Sequence, residues 1–153
     1  MKAGEGKKAL SKWGFDNCFE IPQVGLSGGL ALGWNLPWEV SIGHHNQNFI
    51  QTDIKDQFGN FCSITFIYGH LVLSQRKKIW EELESIANGV YSRWLCIGDF
   101  NQVMIDDDKF TLKPCHIPGK LDLLHTISNL SLIPIKSKGL SHTWMNKDRL
   151  RTL

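Results

Sequence analysis

The chain has 153 residues, 42% hydrophobic and 21% charged, with 14 glycines and 17 Lys+Arg against 15 Asp+Glu, a formal charge of +2. That composition excludes a disordered, collagen-like or coiled-coil chain, and the near balance of charge lacks the dense basic field of a dedicated nucleic-acid coat. A domain of this length buries roughly 70% of its unfolded surface, so a core forms without disulfides or a structural metal.

In chain order, a short helix is expected around Ala9 to Trp13. Gly28-Gly29 then leads into Leu30-Ala31-Leu32-Gly33-Trp34, an apolar run of strand length that predicts a buried strand. Val40 to His45 and Phe49 to Lys55 read as two further strands, and Asp56-Gln57-Phe58-Gly59-Asn60 suits a hairpin whose return strand is Phe61 to Tyr68. Alternation along that strand puts Cys62, Ile64, Phe66 and Tyr68 on one face and Ser63 and Thr65 on the other. Ser74 is positioned to cap a helix whose apolar residues Ile79, Trp80, Leu83, Ile86 and Ala87 recur at helical spacing, with Asn88-Gly89 as the stop. A strand Arg93 to Ile97 follows at once, so the helix bridges two apolar strands. After Pro118-Gly119, Leu121, Leu124, Ile127 and Leu130 form the stripe of another helix, and Ser141 to Met145 reads as a short strand. No repeat, low-complexity tract or Pro/Ser-rich linker divides the chain, so residues 1–153 are read as a single α+β unit.

The local candidate for chemistry is Gly98-Asp99-Phe100-Asn101, where a carboxylate and a carboxamide two residues apart project from a strand end. Such a pair can orient a water and a phosphate, although Asp and Asn are also ordinary turn and cap residues. Tyr68-Gly69 occupies the equivalent end of the neighbouring strand. If the two strands pair in parallel, the Tyr68 phenol meets Asp99 and Asn101 at one rim.

Taken in order, several segments resemble the endonuclease domain of plant non-long-terminal-repeat retrotransposons (LINE-type), within the endonuclease/exonuclease/phosphatase superfamily. They are Gly14-Phe15-Asp16-Asn17, the run Gly25 to Trp34, Tyr68-Gly69 with Arg76 and Trp80 downstream, Trp94 to Asn101, and His142-Thr143-Trp144-Met145-Asn146. The resemblance covers most of the chain, and its specificity lies in the ordered set rather than in any one piece. It implies a four-layer α/β/β/α sandwich with a divalent-metal phosphodiesterase site, Mg2+ or Mn2+, at the rim between two sheets, and DNA as the partner. It further implies that Tyr68 contacts the scissile phosphate, Asp99 polarises the attacking water and Asn101 helps hold phosphate and nucleophile. Cleavage would leave a nick.

The same family carries a metal-binding glutamate near its start and a Ser-Asp-His segment near its end. Glu5, the one acid before Gly14, lies in a Glu-Gly-Lys setting rather than Glu-Thr-Lys and is read as solvated. The chain stops at Leu153, before the family's Leu-Asp-Arg strand and terminal histidine. The expectation is an incomplete domain, truncated at both ends and inactive as this chain, because losing ~4 kcal/mol of transition-state stabilisation costs about a thousandfold in rate. Two other readings stand beside it: a nucleic-acid-binding module without chemistry, and a gene remnant without function.

The remaining features have plain readings. Cys18, Cys62, Cys96 and Cys115 form no C-x-x-C pair and are expected to be free thiols in a reducing compartment. The basic start Met1 to Lys8 lacks the apolar core of a signal peptide, and Phe61 to Leu73 falls short of the ~20 apolar residues of a membrane span, so a nuclear or cytoplasmic location without secretion is expected. His44-His45 point to opposite faces of a strand and read as surface histidines, and Asp106-Asp107-Asp108 as a solvated acidic loop. Lysines and arginines at both ends, Lys7, Lys8 and Lys12 among them, are solvated charge that can touch phosphates. Trp34, Trp80 and Trp94 lie inside apolar patterns and are expected in the core.

Overall fold

The computed structural model describes residues 2–25, 29–90, 93–104 and 116–135. In chain order the elements are α1 (Glu5–Lys12), β1 (Asn17–Ile21), β2 (Leu30–Trp34), β3 (Glu39–His45), β4 (Phe49–Lys55), β5 (Phe61–Tyr68), α2 (Leu73–Ala87), β6 (Arg93–Asp99) and α3 (Lys120–Asn129). The fold is α+β: β1 and β2 form an antiparallel ribbon, and a second sheet has the order β3-β4-β5-β6. Its first three strands pair antiparallel, whereas β5 and β6 run parallel, joined through α2. The expected strand Ser141 to Met145, together with Cys115, His142 and Asp106 to Asp108, lies outside the described residues.

Helix α1 starts one turn earlier than the sequence spacing predicts, and the reason is distant in sequence. The Glu20 carboxylate accepts the Gly4 N–H at 2.6 Å and the Lys7 N–H at 2.8 Å, so it serves the free donors of the first turn from outside the helix. Those bonds, the Lys7 N–H foremost, hold the Glu20 carboxyl below the usual carboxylate range. Strand β1, which the patterning did not predict, gives the ribbon its second strand, and α1 packs on both. Leu30–Trp34 is a strand as expected, but it is half-buried rather than buried, since a two-stranded ribbon has little around it to exclude water. At Gly33 a methyl would lie 2.7 Å from the Phe15 ring and 2.9 Å from Leu10, so the helix end sits directly on the ribbon.

Strands β4 and β5 run over the predicted bounds, and the two faces of β5 alternate as predicted. The fully buried face is that of Ser63, Thr65 and Ile67, while Cys62, Ile64 and Phe66 are half-buried. Bulk explains the difference. Trp80 of α2 and Trp94 of β6 belong to the cluster over this face, and small side chains beneath leave room for the indoles. The polar atoms are satisfied: Trp94 Nε1 donates to Thr65 Oγ1 at 2.9 Å and Ser63 Oγ donates to Asp53 Oδ1 at 2.5 Å.

Phe49, Ile67, Ile79, Trp80, Leu83 and Ile86 form most of the core, so the predicted face of α2 is the buried one. The predicted cap is corrected. Val72, without a side-chain cap bond, precedes the helix, and Ser74 lies inside it. The stripe of α3 is corrected in part: Leu121 is exposed and Leu123 and Thr126 are the buried positions, while Ile127 and Leu130 pack half-buried against the core as expected. Glu84 of α2 fixes that phase by accepting from Thr126 Oγ1 at 2.7 Å and from Asn129 Nδ2 at 3.2 Å. On the opposite face of the sheet, a cavity of about 200 Å³ separates β2 from Ile50, Phe66 and Ile97, and the Phe19 ring meets His45 edge-on at 4.9 Å.

Candidate functional site

Parallel pairing of β5 and β6 places Tyr68 directly opposite Asp99 in the ladder. Neighbouring strands stand about 4.8 Å apart, and alternation puts both side chains on the face shared by Phe66 and Ile97. Tyr68 is 38% exposed, so its phenol is open to a ligand. Asp99 is exposed as well. The condition set by the sequence, parallel strands ending together, is met.

The ends of these strands interlock through backbone that tolerates no added bulk. A methyl at Gly69 would lie 1.9 Å from the Phe100 carbonyl oxygen, and one at Gly98, with φ +143°, would lie 2.0 Å from the Ile67 carbonyl oxygen. The Gly69 N–H donates to the Asp99 carbonyl at 2.7 Å, which carries the parallel ladder one step beyond the strands. Between Asp99 and Asn101, Phe100 turns inward and stacks on Trp80 with ring centroids 5.9 Å apart. The hydrophobic core thus anchors the segment whose polar residues face out.

Asn101 occupies the left-handed region at φ +49°, where asparagine is tolerated better than most residues. Its N–H donates to Asp99 Oδ1 at 2.8 Å, and its Nδ2 donates to the Gly69 carbonyl at 2.6 Å. Tyr68 is held from the other side by Asn48, whose carbonyl accepts the Tyr68 N–H at 2.6 Å and whose Nδ2 donates to the Tyr68 carbonyl at 2.9 Å. All three predicted site residues therefore come together at one rim. Chemically the rim offers a carboxylate, a carboxamide and a phenol: acceptors for a water proton and donors for an anionic oxygen.

The donor set suits a hard cation. Mg2+ or Mn2+ takes oxygen ligands, and Mg2+ is commonly held by one or two carboxylates with waters and substrate phosphates completing the shell. Asp99 commits one of its two oxygens to the Asn101 N–H and keeps the other for a ligand. Among the described residues, no three His, Cys, Asp or Glu side chains converge on one point.

Other sequence candidates lie apart from this chemistry. Glu5 is exposed and accepts the Lys2 N–H. His44 and His45 are exposed, and a bulge between Ile42 and His45 interrupts the strict alternation expected there. The described cysteines Cys18, Cys62 and Cys96 are free, and burial pushes the Cys96 thiol up to about 12. Lys2, Lys7, Lys8 and Lys12 are exposed. Of the three tryptophans expected in the core, Trp80 is 2% exposed, whereas Trp34 and Trp94 are half-buried.

Sequence reasoning missed Asn48 and Gln102, and the bonds that Gly69 and Arg76 make to hold the rim. A polar residue in a loop carries no local signal of what it will bond across 20 or more positions. Comparisons of the chain with protein-family models and with curated proteins find no match. Among the described residues, no helix is long and apolar enough to cross a membrane.

Proposed function

We propose that the chain is an endonuclease-like domain of retroelement type, related to metal-dependent phosphodiesterases that nick DNA, with little or no turnover of its own. The observation that carries this reading is the pairing of Tyr68 with Asp99 on parallel strands, with Asn101 bonded to both strand ends. A four-layer arrangement is part of the proposal. It is supported by the succession of α1 on the ribbon, the cavity between β2 and the larger sheet, and α2 and α3 on that sheet's other face.

In this reading a DNA phosphate lies over the rim. The Tyr68 hydroxyl donates to a non-bridging oxygen, and the free oxygen of Asp99 orients a water and accepts its proton as it attacks phosphorus, while the P–O ester bond opposite breaks and the departing alkoxide takes a proton from solvent. Asn101 keeps one Nδ2 proton and its Oδ1 for phosphate or water, because its other Nδ2 proton is bonded to Gly69. The Asp99 carboxylate would hold Mg2+ or Mn2+ through bound water, which leaves its free oxygen available as the base, and the ion would polarise the phosphoryl oxygen and offset developing charge. Low turnover is part of the proposal: Glu5, the acid nearest the position of the family's metal-binding glutamate, is exposed and bonded to the Lys2 N–H, and a shortfall of ~4 kcal/mol at the transition state slows a reaction about a thousandfold.

The test is nicking of supercoiled plasmid by the purified chain with magnesium, beside a chelator control and Asp99→Ala protein, each shown to be folded by circular dichroism. Expected is nicking close to the Asp99→Ala level, with DNA still retained. Vigorous magnesium-dependent nicking that Asp99→Ala abolishes would overturn the low turnover and establish the rim as catalytic. A folded chain that neither nicks nor retains DNA would overturn the whole reading.

A further inference from the structure

Arg76 stands in the first turns of α2, half-buried, and uses three of its nitrogens at once. Nε donates to the His70 carbonyl at 2.8 Å, Nη2 to the Leu71 carbonyl at 3.0 Å, and Nη1 to Gln102 Oε1 at 2.8 Å. Gln102 Nε2 in turn donates to the carbonyls of Val103 and Pro118, each at 3.1 Å. One planar guanidinium therefore ties the loop that leaves β5 just after Tyr68 to the loop that leaves β6 just after Asp99. The acceptors are all neutral oxygens, and the ion pair formed among the described residues is Lys55–Glu39, in which Arg76 takes no part.

A cation bonded only to neutral oxygens is held there for its geometry or for its charge. The geometry is distinctive, since a guanidinium presents its donors in a fixed fork and an ammonium cannot reach three separated acceptors in the same way. From this arrangement we infer that Arg76 is a positioning residue: it fixes the separation of the Tyr68 and Asp99 loops from behind, as Asn101 and Gly69 fix it from the front. That the separation serves a phosphodiester rests on the function proposed above; the clamp itself rests on the bonds alone. Positioning matters at such a site because a displacement of about 1 Å costs on the order of a hundredfold in rate.

The experiment compares Arg76→Lys and Gln102→Met with the parent chain, using amide hydrogen exchange and binding of a short DNA duplex. Arg76→Lys keeps the charge and the aliphatic stem but loses the fork, and Gln102→Met cuts the link between loops while leaving Arg76 on the His70 loop. In both variants the Gly69 and Asn101 amides, which bond to Asp99, should exchange on the order of tenfold faster, with the Gln51 and Thr65 amides of the inner ladder unchanged. Duplex affinity should fall by about fivefold even in Arg76→Lys, where the charge is retained. Parent-like protection and affinity in Arg76→Lys would overturn the inference in favour of charge, and equal loss of protection at rim and inner ladder would overturn it in favour of general stability. A parent chain that binds no duplex would remove the phosphodiester reading, while the exchange rates would still decide whether the clamp exists.

Discussion

At the turn between β4 and β5 every stabilising bond is local: Asp56 accepts from the Phe58 N–H, the Asn60 N–H and Asn60 Nδ2, all within four residues. At the opposite end of the same sheet the bonds reach far along the chain. Asn101 joins Gly69 across 32 residues, Arg76 joins Gln102 across 26, and Asn48 joins Tyr68 across 20. The turn can form by itself, whereas the rim exists only after β5, α2 and β6 have assembled. A site built this way inherits its geometry from the core, and its sensitivity to mutation should reach well beyond the residues that face out.

The strongest way to break the contrast is to remove the core beneath one end. Trp80→Ala should cost about 3–5 kcal/mol, the range for large aromatic truncations in a packed core. The loss should appear as a lowered urea midpoint and as faster exchange at Asn101, because Phe100 stacks on the indole. Gly69→Ala comes next. Its methyl would run into the Phe100 carbonyl oxygen, so about 1–3 kcal/mol of strain should separate the two strand ends while exchange in the 56–60 turn stays unchanged.

The local end can be probed by pH. The Asn60 side chain, aided by backbone N–H groups, holds the Asp56 carboxyl below the usual carboxylate range. A depressed folded value contributes stability above the unfolded pKa of about 3.9 that is lost as pH falls through the folded value. Asp56→Asn protein should therefore lose less thermal stability than the parent between about pH 5 and pH 2, measured by melting followed with circular dichroism. The smallest effect is expected for Lys55→Ala. The Lys55–Glu39 pair at 3.2 Å is 48% and 70% exposed at its two side chains, and such pairs contribute under about 1 kcal/mol. Its melting temperature should differ from the parent's by no more than a few degrees, and that difference should vanish in high salt.

The same contrast separates what was legible in the sequence from what was not. Local signals located β4, its turn and β5, and the helical spacing of Ile79, Trp80, Leu83 and Ile86 identified the buried face of α2. The meeting of Tyr68 with Asp99 and Asn101 was legible only as a condition, because strand direction is set by the crossover through α2 and not by any residue of the strands. Early initiation of α1 depends on Glu20, sixteen positions from Gly4, and the phase of α3 depends on Glu84 of another helix. The buried face of β5 followed the size of two tryptophans on other elements rather than its own hydrophobicity. In α1, α3 and β5 a tertiary contact decided what the local pattern left open.

The central claim is that Tyr68, Asp99 and Asn101 form one phosphate-facing rim. The most direct test is a titration of isotopically labelled protein with a short DNA duplex, followed by amide chemical shifts in the parent chain and in Asp99→Ala. The account predicts that the largest shifts fall on residues 68–70 and 99–102, and that Asp99→Ala, lacking one negative charge, binds as tightly or more tightly. Shifts confined to the lysines of α1 or to the turn at 56–60, with the rim unmoved, would contradict it.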